Sequence, residues 1–356
     1  MIRPLAILGT LVLVLALWDA ALARRESRAS VATNRVGALF TPEEAENLRK
    51  QPALRIQMRG ENHAYGRVQG VWRTLSYRNA PADGRALQNL IEGLVRAEGF
   101  VHSRDVDEAA VYGINSPETI RVALQGPRAG QDPAGDVLAE LDIGKTVPGR
   151  EQTFLRRKGT KEIWAVDGDL RGPLERRLAP DLPPLLAPSA LPAGWLEAAG
   201  GILGIDTVSA AGRFRLERHD RALDPATLAP GDLPWSWVID PGAGEHELDV
   251  EVASAYASFL ERLPYADVLE AGQRDTLGLA APAVELTLTA RPGDALRLAF
   301  GQPTSGGRVP LWVAATETLY LIEPDVFALI ATDPPRLLSA SRENDPWSAA
   351  LREGNR

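Results

Sequence analysis

Histidine, acidic side chains and glycine-rich turns are the parts from which this chain could build chemistry, and few of them fall at useful spacings. Glu245-His246-Glu247-Leu248-Asp249 is the densest mixture of carboxylate and imidazole. On an extended chain successive side chains point to opposite faces, so these residues cannot all converge on one ion. A helical metal pair needs two histidines at i and i+4, and only one is present. The acidic groups are better placed at the start of a helix beginning near Asp249, where they complement its dipole. Gly144-Lys145-Thr146 has the ending of a phosphate-binding loop, but the glycine required five residues before Gly144 is Ala139. The residues between, Leu138–Ile143, read as a strand. Gly301–Gly307 can turn backbone amides toward an anion, yet reads more simply as a flexible loop. His219-Asp220 and the group Asp105, Asp107 and Glu108 lack a serine in a Gly-x-Ser-x-Gly context and a second histidine at triad spacing, so they read as solvated turns.

The composition narrows the chemistry further. There is no cysteine and only four histidines, His63, His102, His219 and His246. Disulfides, thiolate metal sites, a cysteine nucleophile and a lipid-modified N-terminal cysteine are all excluded. The net charge of −8 has the wrong sign for a dedicated nucleic-acid surface. The reading is therefore of a non-enzymatic protein with no catalytic residue, cofactor or metal. What remains for function is the set of eight tryptophans. Trp72, Trp164 and Trp237 sit in strand patterns and are expected in cores. Trp195, Trp235, Trp312 and Trp347 lie in or beside irregular text. Trp195, Trp235 and Trp312 are the candidate partner-binding residues, since exposed tryptophan commonly grips a sugar or a protein partner.

The elements that would position these residues begin with Pro4–Trp18, fifteen residues without a charge. The expectation is an N-terminal hydrophobic helix within residues 1–30. It can stay as an anchor over about residues 4–23 or be removed after Ala23, where Ala21-Leu22-Ala23 fits the small-x-small cleavage pattern. The remainder is organised by an internal repeat. An offset of 165 residues places Trp72 on Trp237, Leu94 on Phe259, Phe100 on Tyr265, Gly113 on Gly278 and Pro117 on Pro282. After one deletion, Ile120, Val122 and Leu124 meet Val284, Leu286 and Leu288. Leu141-Asp142-Ile143-Gly144 then meets Leu298-Ala299-Phe300-Gly301, and Ile163–Val166 meets Leu319–Ile322. Upstream, Leu54–Ile56 is set against Phe214–Leu216.

In the first copy Arg55–Met58 and Val68–Leu75 alternate as strands do. Asp83 can cap a helix whose Leu87, Leu90, Ile91, Leu94 and Val95 form one apolar stripe. Gly113 is placed for a left-handed turn, Pro117 opens a strand, and Val137–Ile143 and Glu162–Val166 follow as strands before a short helix near Asp169–Leu178. The fold class is α+β: two tandem repeats, each a mainly antiparallel sheet covered by an amphipathic helix, after the hydrophobic helix. The expected divisions are residues 1–30, a first repeat at 31–180, a proline-rich linker at 181–201, a divergent second repeat at 202–341 and a polar tail at 342–356.

The tryptophan strand, Pro81-Ala82-Asp83, the amphipathic helix, Tyr112-Gly113-Ile114-Asn115-Ser116-Pro117 and the Ile143-Gly144 turn resemble the domain-of-unknown-function 4340 family. The resemblance covers about residues 39–180 and, with Leu277 in place of the tyrosine, about 202–340. It implies an N-terminal membrane segment and company with ABC-type export or gliding-associated membrane components. It implies no catalytic residues. The expectation is thus a membrane-tethered binding or assembly module in the cell envelope. Its body would lie in the periplasm, and its sheet edges and the groove between copies would receive a membrane-protein subunit of a transport complex. The rivals are an envelope glycan-binding protein and a hydrolase, the latter needing a carboxylate pair about 5–10 Å apart.

Overall fold

The computed structural model describes residues 36–50, 53–126, 136–192, 194–195, 201–210, 212–220, 235–240, 246–291, 294–339 and 345–353. The expected N-terminal hydrophobic helix lies outside them. Among the described residues no helix is long and apolar enough to cross a membrane. The chain divides into two compact units. The first comprises the described residues up to Arg67 together with Arg85–Arg176, and the second comprises Val68–Gly84 together with Arg177 onward.

The early elements are β1 (Gly37–Ala38), α1 (Pro42–Arg49), β2 (Ala53–Met58), β3 (Glu61–Val68), β4 (Val71–Thr74), β5 (Ala80–Pro81), α2 (Gly84–Val95) and β6 (Glu98–Ser103). Then come β7 (Ile120–Gln125), β8 (Val137–Thr146), β9 (Gln152–Arg157), β10 (Ile163–Asp167) and the short α3 (Gly172–Glu175). Within the first unit the strand order is β1-β6-β10-β9-β8-β7-β2-β3, with every pairing antiparallel. Alternation explains the strands: Leu54, Ile56 and Met58 on β2 and Ile120, Val122 and Leu124 on β7 are buried while their neighbours are not all so. Helix α1 begins at a capping box, in which the Thr41 hydroxyl accepts from the Glu44 amide and Glu44 accepts from the Thr41 amide. Helix α2 buries the stripe expected of it, Leu87, Leu90, Ile91, Leu94 and Val95. Inside the sheet Asp142 is buried and answered by Arg156 at 2.5 Å and Arg121 at 3.3 Å.

The second unit holds β11 (Gly204–Ser209), β12 (Gly212–Asp220), β13 (Trp235–Asp240), β14 (His246–Glu247), α4 (Val250–Glu261) and β15 (Asp267–Leu269). Strands β16 (Val284–Arg291), β17 (Asp294–Phe300), β18 (Val309–Val313) and β19 (Thr318–Ile322) follow, then helices α5 (Pro324–Ile330), α6 (Pro334–Ser339) and α7 (Pro346–Glu353). The strand order is β14-β13-β12-β11-β16-β17-β18-β19-β15, again antiparallel throughout. Read from β6, the first unit runs β6-β10-β9-β8-β7-β2-β3, and read from β15 the second runs β15-β19-β18-β17-β16-β11-β12. Seven strands occupy the same places with the same connections. Helix α4 and the sheet share one core that includes Tyr256, Phe259, Phe300 and Trp347. The Asp249 carboxylate accepts from the amides of Glu251 and Val252, which is the helix start expected of the Glu245–Asp249 text.

Several expectations need correction. Val68–Leu75 is not one strand: Gln69 and Gly70 take positive φ of 52° and 83° and make a tight turn, with β3 before it. The hairpin of β4 and β5, which the repeat assigned to the first copy, belongs to the second unit. There the amide of Asp83 donates to the Leu185 carbonyl at 2.8 Å and that of Ala187 to the Pro81 carbonyl at 3.1 Å. The Arg73 guanidinium reaches the Thr316 carbonyl at 2.6 Å and the Thr318 hydroxyl at 3.0 Å. The proline-rich stretch is consequently no free linker, because Leu182, Leu185, Leu186, Ala190 and Leu191 are buried. Prolines stiffen a chain whether it spans solvent or lines a core, and only contacts distinguish the two. The tail also departs from expectation: α7 is helical and buries Trp347 completely, with its indole N–H on the Leu329 carbonyl at 3.1 Å. Finally, strand order sets β2 against β11 and β3 against β12, so Leu54–Ile56 corresponds to β11 and not to Phe214–Leu216. Alternating patterns look alike in neighbouring strands, so register along the chain could not separate them.

Candidate binding site

A cleft of about 480 Å³ opens in the first unit, lined by Phe100, His102, Val147, Pro148, Arg150, Gln152 and Ala165. Three neighbouring strands and one turn build it. Phe100 and His102 lie two apart on β6 and therefore share a face, and Ala165 of β10 is the cross-strand partner of Phe100. The remaining residues come from the turn between β8 and β9. Val147 and Gln152 close that turn, the Val147 amide donating to the Gln152 carbonyl at 2.8 Å. Gly149 permits the reversal with φ of 71°.

Behind the cleft wall stands an aromatic cluster. The His102 ring meets Tyr112 edge-on at 5.1 Å between centroids and Phe154 at 5.1 Å, while Tyr112 and Phe154 are 4.9 Å apart. Phe154 and Ala165 share a buried core with Ala109 and Ile114. The Tyr112 hydroxyl donates to Glu108 at 3.2 Å. Its titration is pushed up, first by partial burial and then by that hydrogen bond and the Glu108 charge, so it remains a donor. Tyr112 is held from its backbone too, since its carbonyl accepts the Lys145 amide at 2.8 Å. Gly144 must be glycine for this approach: a Cβ there would stand 2.2 Å from the same carbonyl oxygen. The tyrosine–glycine text and Ile143-Gly144, which lies at an irregularity inside β8 and not in the turn expected of it, are thus two halves of one contact that fixes the cleft's rear wall.

The polar groups of the cleft are unevenly satisfied. Gln152 donates its Nε2 to Asp167 at 2.7 Å, which fixes the amide's orientation. Its Oε1 is buried without a hydrogen-bond partner. Arg150 lies exposed, and its guanidinium makes no ion pair among the described residues. No carboxylate lines the cleft. The cleft thus presents one cation, Arg150, beside an apolar wall.

None of the tryptophans proposed from sequence lines it. Trp195, Trp235 and Trp312 all belong to the second unit and are half-buried. The Trp195 indole donates to Asp294 at 3.1 Å. Arg218 stacks 5.4 Å from the Trp235 ring centre and Arg274 5.0 Å from that of Trp312. Trp235 on β13 and Trp312 on β18 are five strand positions apart, about 24 Å at the usual spacing, so they do not form one surface feature. The cleft residues escaped sequence reasoning because Phe100/His102 and Arg150/Gln152 are remote in the chain and meet only through β10. The one local signal was the i, i+2 spacing of each pair.

A family model described as a domain of unknown function (DUF4340) matches residues 72–179. That span contains every residue lining the cleft. It also includes the β4–β5 hairpin, which lies in the second unit. A comparison with curated proteins finds no match.

Proposed function

We propose that this chain is a membrane-tethered, extracytoplasmic binding and assembly module built from two tandem copies of one α+β unit, accessory to a transport complex of the cell envelope. The cleft carries the binding part of this reading: it presents groups that hold a ligand, and its lining offers no carboxylate pair to break one. A glycan-cleaving enzyme working through two carboxylates would need such a pair. The duplication draws support from the shared strand order and from three repeated local devices. Gly113 and Gly278 both turn the chain with φ near 70°, at 74° and 71°. Gly144 and Gly301 both abut a carbonyl, where a Cβ would fall 2.2 Å from Tyr112 and 2.6 Å from Leu277. The carbonyls of Trp72 and Trp237 accept amides from Ala82 and Leu248, each followed by the aspartate that precedes a helix. The second copy therefore shares the helix-leading aspartate, as Asp249.

Divergence between the copies is functional in this reading. By cross-strand register Asp267 and Leu269 stand where the first unit has Phe100 and Ser103, and Pro310 stands for Phe154, so the pairing of Phe100 with Tyr265 read from the 165-residue offset does not carry into the sheets. Attachment rests on the Pro4–Trp18 sequence. The test uses the tagged full-length chain in its native host. Protease should reach the body in intact spheroplasts, and a membrane subunit of a transport complex should co-purify from solubilised membranes. Full protection of the body, or purification without any such subunit, refutes the proposal.

A further inference from the structure

The two sheets treat equivalent edges differently. In the second unit β15 is closed off. The Val268 amide donates to the Asp267 carboxylate at 2.7 Å, and the Val268 carbonyl accepts from the Arg78 guanidinium at the tip of the β4–β5 hairpin. Arg78 and the Tyr77 hydroxyl also hold Asp267 itself. Val268 and its cross-strand neighbour Tyr320 are buried. By register the first unit has Val101 for Val268, Trp164 for Tyr320 and Phe100 for Asp267. Val101 and Trp164 are only half-buried, and Phe100 has no oxygen with which to cap the Val101 amide.

The pairing of β1 fixes which way that backbone points. The Leu39 amide donates to the Ala97 carbonyl at 3.0 Å, and β1 begins at Gly37, opposite Gly99. Backbone groups facing one side of an antiparallel strand recur at every second residue. The Val101 N–H and C=O therefore face the side on which β1 lies, just beyond its last pair. Among the described residues nothing pairs with them there. An open donor and acceptor on one residue are a template for another strand, and apolar surface flanks them on both faces: Phe100 on one, Val101 and Trp164 on the other. We propose that the edge of β6 at Val101 receives an extended apolar segment of a partner protein, added to the first sheet as a strand beside the line of β1. Strand addition to an open edge is an established way for a domain to hold a partner. This inference rests on the binding-module reading and names the edge used and the kind of segment it takes.

The test is fluorescence polarisation on the full chain with the labelled peptide Lys-Thr-Val-Val-Val-Thr-Lys, for which saturable binding below about 1 mM is expected. The same peptide N-methylated at its three valines should bind at least about tenfold more weakly, because it cannot donate to the edge. Phe100→Asp gives β6 the carboxylate cap of β15 and should weaken binding by about tenfold. Val101→Pro removes the outward N–H, leaves the bonds to β10 in place and should do the same. Phe100→Asp, at a half-exposed site, keeps the test decisive if the proline unfolds β6. Gly272→Ala, in the other unit, should leave binding unchanged. Equal binding of the two peptides, unchanged binding by a folded Phe100→Asp chain, or no saturable binding near about 1 mM each overturns the proposal. So does a Val101 amide already protected from hydrogen exchange in the peptide-free chain, which shows the edge filled from within. A dimer that Phe100→Asp abolishes puts a second copy on the edge and overturns it equally. A transport subunit that still co-purifies with the Phe100→Asp chain removes this inference alone. If none co-purifies with the wild-type chain, the binding-module reading falls as well.

Discussion

Replacing Gly144 with alanine would set a methyl carbon 2.2 Å from the Tyr112 carbonyl oxygen. Carbon and carbonyl oxygen normally approach no closer than about 3.3 Å, so roughly 1 Å must be yielded somewhere. Both partners are backbone, and neither can rotate away. The Tyr112 carbonyl is also the acceptor for the Lys145 amide at 2.8 Å, one residue beyond the substitution. Withdrawal of the carbonyl by that amount breaks the bond, at a cost of about 1 kcal/mol. Overpacking adds about 1–3 kcal/mol, because Ile114 and Phe154 also stand within 3.3 Å of the new methyl. The expected loss is about 2–4 kcal/mol, confined to the first unit. Hydrogen exchange read by mass spectrometry on peptides from β7 and β8 separates that unit from the second. Gly272→Ala is the control, since its Cβ would meet nothing within 4 Å; it should change stability by less than about 0.5 kcal/mol. A Gly144→Ala chain with exchange protection within that margin of wild type would refute the claim that this contact sets the rear wall of the cleft.

Asp142→Ala takes the buried partner from the half-buried Arg156 guanidinium, which keeps its bond to Asn115 at 2.6 Å. It should cost the first unit about 1–3 kcal/mol in urea unfolding, whereas Asp142→Leu with Arg156→Met should recover most of it. Trp347→Ala empties a fully buried site against Tyr256, with ring centres 5.3 Å apart, and should destabilise the second unit by about 3–5 kcal/mol. The Asp267 carboxyl is pushed up by burial but held below its ordinary value by hydrogen bonds from Tyr77, Arg78 and the Val268 amide. Its stabilisation is therefore present above the unfolded value near about pH 4 and lost as pH falls through the lower folded value; Asp267→Asn should flatten that acid limb. Tyr77 is displaced the other way, to about 12, by burial and by the Asp267 hydrogen bond and charge. That contribution holds below about pH 10 and disappears as pH rises toward 12, so Tyr77→Phe should flatten the alkaline limb of an unfolding-versus-pH series.

Much of the local architecture could be read from the residues alone. The stripe from Leu87 to Val95, the helix start at Asp249, the strands after Pro117 and Pro282 and the left-handed Gly113 all depend on spacing and backbone preference within a few residues. Gly144 and Gly301 could be aligned in the text, but Gly144 lies at an irregularity inside β8 and not in the turn expected there, and nothing in the text said which carbonyl each would face. Other features depended on contacts made at a distance. The Arg73, Tyr77 and Arg78 side chains tie the β4–β5 hairpin to residues 267, 268, 316 and 318, some 190 to 245 positions away. Sequence self-similarity therefore divided the chain at a different place from its packing.

The cleft shows the same division of labour. Sequence by itself determined that no cysteine is present and where many of the helices and strands fall, because composition and periodicity are properties of the chain. It directed attention to tryptophans, whose large apolar area suits both cores and interfaces. Tertiary structure decided which of those roles each one plays: Trp347 fills a core, while Trp235 and Trp312 stack under arginines. It also decided which side chains line the cleft, since the order β6-β10-β9 brings Phe100 and His102 to Arg150 and Gln152 across fifty residues of chain. A strand's neighbours are chosen by sheet topology, and no periodicity along the chain records that choice.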